Sequence, residues 1–187
     1  MLGYYYTQRL KHAIRFRTKR GFGVHSPYMF NLITNVLRER RKSAHLYPAE
    51  SRRLGHRDSK LLRLTLRLND FLKPSDIYAA GKRTEMLKRY IGSARIHEDA
   101  AEIDQCSFIW LDVCGIKNRE LLPKLCAWAA DSSSHRSILI TDINRNRYQR
   151  QIWRALGYKA TVKVEMMWCG ILIFDPKLQN GSYHMLP

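Results

Sequence analysis

Three short apolar runs constrain the fold of this chain more than any other feature. They are Asp76-Ile77-Tyr78-Ala79-Ala80, Phe108-Ile109-Trp110-Leu111-Asp112 and Ser137-Ile138-Leu139-Ile140-Thr141-Asp142. Each is continuously apolar rather than alternating, as expected of strands covered on both faces. Helical periods lie between them. Ahead of the first run, Leu61, Leu64, Leu68 and Leu72 form one stripe and Arg57, Lys60, Arg63 and Arg67 the other side. Asp58 or Ser59 reads as that helix's cap, and Lys73-Pro74 as its stop. Residues 84–91 are predicted helical. Leu121, Leu122, Leu125 and Ala129 make a crossover helix, and Tyr148, Ile152, Trp153 and Leu156 the apolar face of another. Gly157 is placed to end that helix in the left-handed conformation. A short strand is expected over 94–98, and an antiparallel hairpin over 160–166 and 169–175 across Met167-Trp168. The alternation predicts an α/β domain over 58–187: a mostly parallel sheet of about five to seven strands with helices on both faces.

Residues 1–57 read as a basic helical extension. A helix over 4–17 would place Tyr6, Leu10, Ala13 and Ile14 on its apolar side, followed by a charged turn over 17–23. Ser26-Pro27 starts a second helix, serine capping the orphan amides and proline suiting the first helical position, with Phe30, Ile33, Val36 and Leu37 at helical spacing. Residues 39–57 read as a polar, basic connection. Trp110, Trp128, Trp153 and Trp168 all fall on apolar patterns and are expected in the core.

The net charge of +17 is unevenly placed: residues 1–95 hold 22 Lys and Arg against 6 acids, residues 96–187 hold 11 against 10. Such a field attracts polyanions, and residues 9–42 are where a polyanion or nucleic acid would bind. The contacts would be Arg15, Arg17, Lys19 and Arg20, with Arg38-Glu39-Arg40-Arg41-Lys42. No apolar run approaches the roughly 20 residues that span a bilayer, so no membrane segment is expected. The acid-free first 38 residues read as a basic surface helix rather than a targeting segment. Cysteines at 106, 114, 126 and 169 form no CxxC pair and no zinc-ligand spacing, which predicts a reduced, cytoplasmic protein without a structural metal.

In parallel sheets, ligands sit outside the carboxyl ends of the strands, where Gly81, Asp112 and Asp142 fall. The loop Gly81-Lys82-Arg83-Thr84-Glu85 stands where a nucleotide-binding protein carries several glycines, and it has one. Asp112 is in position to hold a metal, orient a substrate or act as a base, and Asp142 and Asn144 follow the next strand. Hard cations want more oxygen ligands than this set supplies, so Asp112 is read as a cap of the following segment and no metal is expected. His25, before Ser26-Pro27, is a candidate catalytic base, since histidine titrates near neutrality, but reads first as an anchor of the helix start. No P-loop, nucleophile elbow or zinc-protease motif is present.

The motif Gly23-Val24-His25-Ser26-Pro27-Tyr28, the helix over 61–74, the strand ending at Asp112, the strand ending at Asp142, and Trp168-Cys169-Gly170-Ile171-Leu172-Ile173-Phe174 together resemble the class I S-adenosylmethionine-dependent methyltransferases. The resemblance is to a bacterial O-methyltransferase-like branch of this Rossmann-like family. It implies that Ala79, Gly81, Lys82, Glu98 and Asp112 lie at the cofactor, with Asp112 and Asp142 near the chemistry. The departures are specific. Ala79 stands where the family has an acid and Glu85 where it has a later glycine. Only about twenty residues separate Glu85 from Ser107, where the family fits two strands and a helix. Glu98 or Asp99 would have to replace the ribose-binding acid. The expectation is a divergent, degenerate methyltransferase-like protein with weak or no S-adenosylmethionine binding. The alternative is a basic nucleic-acid-binding or protein-interaction module on the same scaffold.

Overall fold

The computed structural model describes residues 2–18, 26–38, 47–49, 53–115, 120–131 and 135–185. Its centre is one seven-stranded sheet in the order β2-β1-β3-β4-β6-β5-β7. The strands are β1 Asp76–Ala80, β2 Arg95–His97, β3 Phe108–Asp112, β4 Arg136–Thr141, β5 Val162–Glu165, β6 Cys169–Phe174 and β7 Gly181–His184. Strands β2, β1, β3 and β4 pair in parallel, while β6 runs antiparallel to both β4 and β5. The architecture is Rossmann-like α/β with a terminal antiparallel hairpin, as the alternation of apolar runs predicts. The expected hairpin closes through the Met166 amide donating to the Cys169 carbonyl at 2.9 Å. Strand β7, which adds parallel to β5, has no counterpart in the sequence reading. Gly181-Ser182-Tyr183-His184 carries no apolar period, because an edge strand is held by backbone bonds and packs little side-chain surface.

The continuous apolar runs are explained by two cores. From β1 and β3, Ile77, Ala79, Phe108 and Trp110 point to one face, while Tyr78, Ile109 and Leu111 point to the other. The first face is covered by α2 (Pro27–Asn31), which continues as a π-helical segment Leu32–Leu37, and by α3 (His56–Leu72) and α4 (Thr84–Tyr90). The second is covered by α5 (Leu121–Ala130) and α6 (Arg147–Gly157). Met29, Leu32, Ile33, Val36 and Leu37 share a core with α3 and the sheet, so part of the expected extension is built into the domain.

The start of α2 follows the sequence: the Ser26 hydroxyl accepts from the Met29 amide at 3.4 Å, with Pro27 in the first turn. Tyr28, the last residue of the motif, packs edge-on against Phe71 and has its hydroxyl 3.2 Å from Nε2 of His135. The Nδ1 atom of His135 lies 3.0 Å from the Asp175 carboxylate. This chain of contacts ties α2 to the amino end of β4, at the opposite pole from Asp112. Gly23, Val24 and His25 lie outside the described residues, as does most of the charged turn over 17–23.

Three local expectations are corrected. Helix α3 begins at His56 with Gly55 at the cap position, which places Asp58 inside the first turn, where a carboxylate suits the helix dipole. Gly157 is not left-handed: α6 runs on into Tyr158 with helical backbone angles and closes by the Tyr158 amide donating to the Ala155 carbonyl at 3.3 Å. Tyr148 is exposed rather than part of the buried face of α6. Helix α1 (Leu2–Thr18) forms, as expected of residues 4–17, and on it Tyr6, Leu10 and Ile14 are 58%, 65% and 60% exposed. Among the described residues, no helix is long and apolar enough to cross a membrane.

Candidate functional site

The carboxyl ends of β1, β3 and β4 bring Gly81, Asp112 and Asp142 together, as the strand reading places them. Gly81 takes φ +122°, a conformation that L side chains rarely adopt. A Cβ there would stand 2.3 Å from the Asp112 carbonyl oxygen and 2.5 Å from its Cβ. The glycine therefore lets β1 turn tightly over the end of β3, and the close approach it permits is taken up by the chain itself. Ala79 is fully buried in the core and offers no polar group. Lys82 is exposed beside a shallow recess lined by Arg83, Asp112, Cys114, Arg145, Asn146 and Gln149.

Arg83, which the sequence reading passed over, organises this end of the sheet. Its guanidinium donates to Asp142 Oδ2 at 2.9 Å, Thr141 Oγ1 at 3.3 Å and Asp112 Oδ1 at 3.4 Å, and its Nε lies 3.2 Å from Asp58. Its backbone amide also donates to Asp112 Oδ2 at 3.1 Å. The Asp112 and Asp142 side chains are 1% and 0% exposed, so each carboxylate needs a charge partner at that depth. Asp112 further accepts from Thr141 Oγ1 at 2.8 Å and from the Cys114 amide at 3.4 Å, which is the capping geometry expected of it. Asp142 also pairs with Arg57 and accepts from the Cys114 thiol at 3.1 Å. It holds φ +59°, the left-handed region in which aspartate is one of the tolerated residues.

Asp112, Cys114 and Asp142 present ligand atoms within 4.8 Å of one another. Three guanidiniums reach the same atoms: Arg83 contacts both carboxylates, Arg57 pairs with Asp142, and Arg145 donates to the Cys114 sulfur at 3.0 Å. The charge that a cation would supply is already provided by arginine. Asn144 takes no part. Its amide points at the Met166 and Met167 carbonyls, at 3.5 and 3.3 Å, and its oxygen accepts from Arg150.

The remaining sequence candidates lie apart. Glu98 follows the edge strand β2 and pairs with Lys88, and Asp99 caps the turn Ala100–Gln105 through the Ala101 amide at 2.9 Å. The bulk of Glu85 does not enter the site. Its side chain is 82% exposed and pairs with Lys88 at 3.2 Å. The loop is filled by arginine two residues earlier.

Beside Thr141 lies a cleft of about 170 Å³ between α3 and the start of β6, lined by Arg57, Lys60, Arg63, Arg67 and Arg83 together with Tyr47, Trp168 and an apolar floor. Trp168 is thus no core residue: it sits in the β5–β6 turn, with the Lys60 ammonium 4.9 Å from its ring centroid. The basic side of α3, with Arg57, Lys60, Arg63 and Arg67, faces this cleft. Comparison with family models, with curated proteins and with solved structures finds no match for this chain.

Proposed function

We propose that this chain is a degenerate relative of the class I methyltransferases, keeping the Rossmann-like scaffold without a usable S-adenosylmethionine site. The observation that carries this reading is the Arg83 guanidinium spanning Asp58, Asp112 and Asp142 at the strand ends. S-adenosylmethionine carries a sulfonium and needs acids and open backbone around it. The acids at this end of the sheet are neutralised by arginine, and the space over Gly81 is filled by Asp112. Ala79 adds no carboxylate, and Glu98 is engaged by Lys88. The residues present do not fit the cofactor. Calorimetric titration with S-adenosylmethionine and with its demethylated product tests the reading. The expected result is no binding at micromolar concentrations, and micromolar affinity for either would overturn it.

A second reading is a polyanion-binding module on the same scaffold. The observation favouring it is a cleft lined by five cations and by no acid among the described residues. Of the polyanion contacts expected over residues 9–42, Arg9 and Lys11 are exposed on α1, while the Arg15 and Arg17 side chains, Lys19, Arg20 and residues 39–42 lie outside what the structure describes. Anisotropy with labelled duplex DNA and single-stranded RNA across a salt series tests it. Binding whose affinity falls steeply with salt is expected, and no binding at physiological salt would end it.

A further inference from the structure

We infer that the cleft between α3 and the β4–β6 strand ends is a binding site for a compact phosphorylated small molecule, its phosphoryl group held by Lys60, Arg63 and Arg67. The inference rests on the cleft and not on the methyltransferase-like reading, so either stands if the other fails. Its starting point is charge. Arg57 and Arg83, the two cations nearest the strand ends, are compensated by Asp142, Asp112 and Asp58. Lys60, Arg63 and Arg67 have no carboxylate partner among the described residues. Lys60 lies over the Trp168 ring at 4.9 Å and Arg63 over the Tyr47 ring at 5.0 Å. Arg67 donates to the Val36 carbonyl at 2.5 Å and to the Tyr47 hydroxyl at 2.6 Å, both neutral.

Three like charges on one face of a helix repel one another at spacings of three and four residues. Half-burial against Leu37, Leu61, Leu64 and Met166 weakens the screening that water would provide. The Nε of Arg63 is buried with no hydrogen-bond partner among the described residues, an orphan donor of the kind a ligand oxygen satisfies.

The chemical class follows from charge and size. A carboxylate would compensate only one of the three cations, whereas a phosphate ester brings nearly two charges and the oxygens that match guanidinium forks. The cleft, at about 170 Å³, falls below the roughly 300–1,000 Å³ of ordinary cofactor pockets, so the phosphorylated molecule is a small one. The apolar floor of Leu61, Leu64 and Met166 suits a short carbon skeleton attached to the phosphate.

The test uses the full chain with inorganic pyrophosphate, inorganic phosphate and glycerol 2-phosphate as probes, read by thermal shift and calorimetry at fixed ionic strength. The parent protein is expected to bind at least one phosphoryl probe, with no equal effect from sodium chloride. The double variant Lys60→Gln, Arg63→Gln should lose about tenfold or more in affinity, since each removes a charge-assisted hydrogen bond. Lys60→Gln alone serves if the double variant does not fold. Lys124→Gln, on the exposed face of α5, should bind as the parent does. Three results would overturn the inference: no probe binds, the cleft variants bind as the parent does, or Lys124→Gln weakens binding equally. Binding of long nucleic acid without binding of any small phosphoryl probe would also overturn it, in favour of the polyanion module.

Discussion

Replacing Arg83 with Met keeps most of the side-chain stem while removing the charge that two buried carboxylates share. Asp142 retains Arg57 and the Cys114 thiol. Asp58, half-exposed, loses a surface pair worth at most about 1 kcal/mol. Asp112 is the group left stranded. It keeps the Thr141 hydroxyl at 2.8 Å and the Arg83 and Cys114 amides at 3.1 and 3.4 Å, but no cation. Removing one partner of a buried ion pair costs about 3–5 kcal/mol, and the surviving neutral bonds put this case at the low end, about 3 kcal/mol. For a chain of this length that lowers Tm by about 6–12 °C. Asp112→Asn in the Arg83→Met background removes the stranded charge and should restore at least about 1 kcal/mol relative to the sum of the single changes. Urea unfolding of the parent, both single variants and the double variant closes the cycle. An Arg83→Met variant within about 0.5 kcal/mol of the parent would refute the reasoning. So would single effects that add without coupling, because Arg83 would then not be the partner that makes burial of Asp112 tolerable.

Gly81→Ala should cost about 1–2 kcal/mol for the positive φ and about 1–3 kcal/mol for the clash with Asp112, read as a large fall in Tm; an unchanged Tm would show that the tight turn is not required. His97, with Nε2 2.8 Å from Asp76 and Nδ1 3.1 Å from Glu102, has its pKa raised, chiefly by the hydrogen bond to Asp76. Its folded-state value lies above the unfolded one, so its stabilisation is fully present below about pH 6.5 and is lost as pH rises through the folded value. An NMR titration midpoint at or below about 6.5 would contradict this. The same hydrogen bond holds Asp76 down at about 2, so its contribution is fully present above about pH 3.9 and is lost as pH falls through about 2; His97→Gln should flatten both limbs of the stability profile. Burial pushes the Cys169 thiol up to about 12 and Cys106 up to about 11. Iodoacetamide near neutral pH should therefore modify half-buried Cys114 well before either, and mass spectrometry showing Cys169 alkylated first would place it in contact with solvent.

How much of this was legible in the sequence depended on whether the information was local. Residues 76–80, 108–112 and 137–142 are short, continuously apolar and set between helical periods, as covered strands are, so the order of elements and the positions of Gly81, Asp112 and Asp142 at the strand ends were readable from the chain alone. The Ser26-Pro27 start and the Lys73-Pro74 stop of the helices were readable for the same reason, since capping involves neighbours in sequence. The role of Arg83 was not. A lone arginine in a loop is most often solvated, and what makes this one a hub is that Asp58, Asp112 and Asp142 converge on it from three separate elements. The cations of α3 were visible as a stripe, but whether a stripe faces water or a cleft depends on what packs opposite, here the β5–β6 turn with Trp168. Strand β7 was hidden because edge pairing is made by backbone groups that every residue carries. The sequence determined by itself which segments are covered and where each one stops, because those follow from burial and capping within a few residues. Only the tertiary structure decided which charges meet, because side chains far apart in the chain become neighbours only once the sheet has formed.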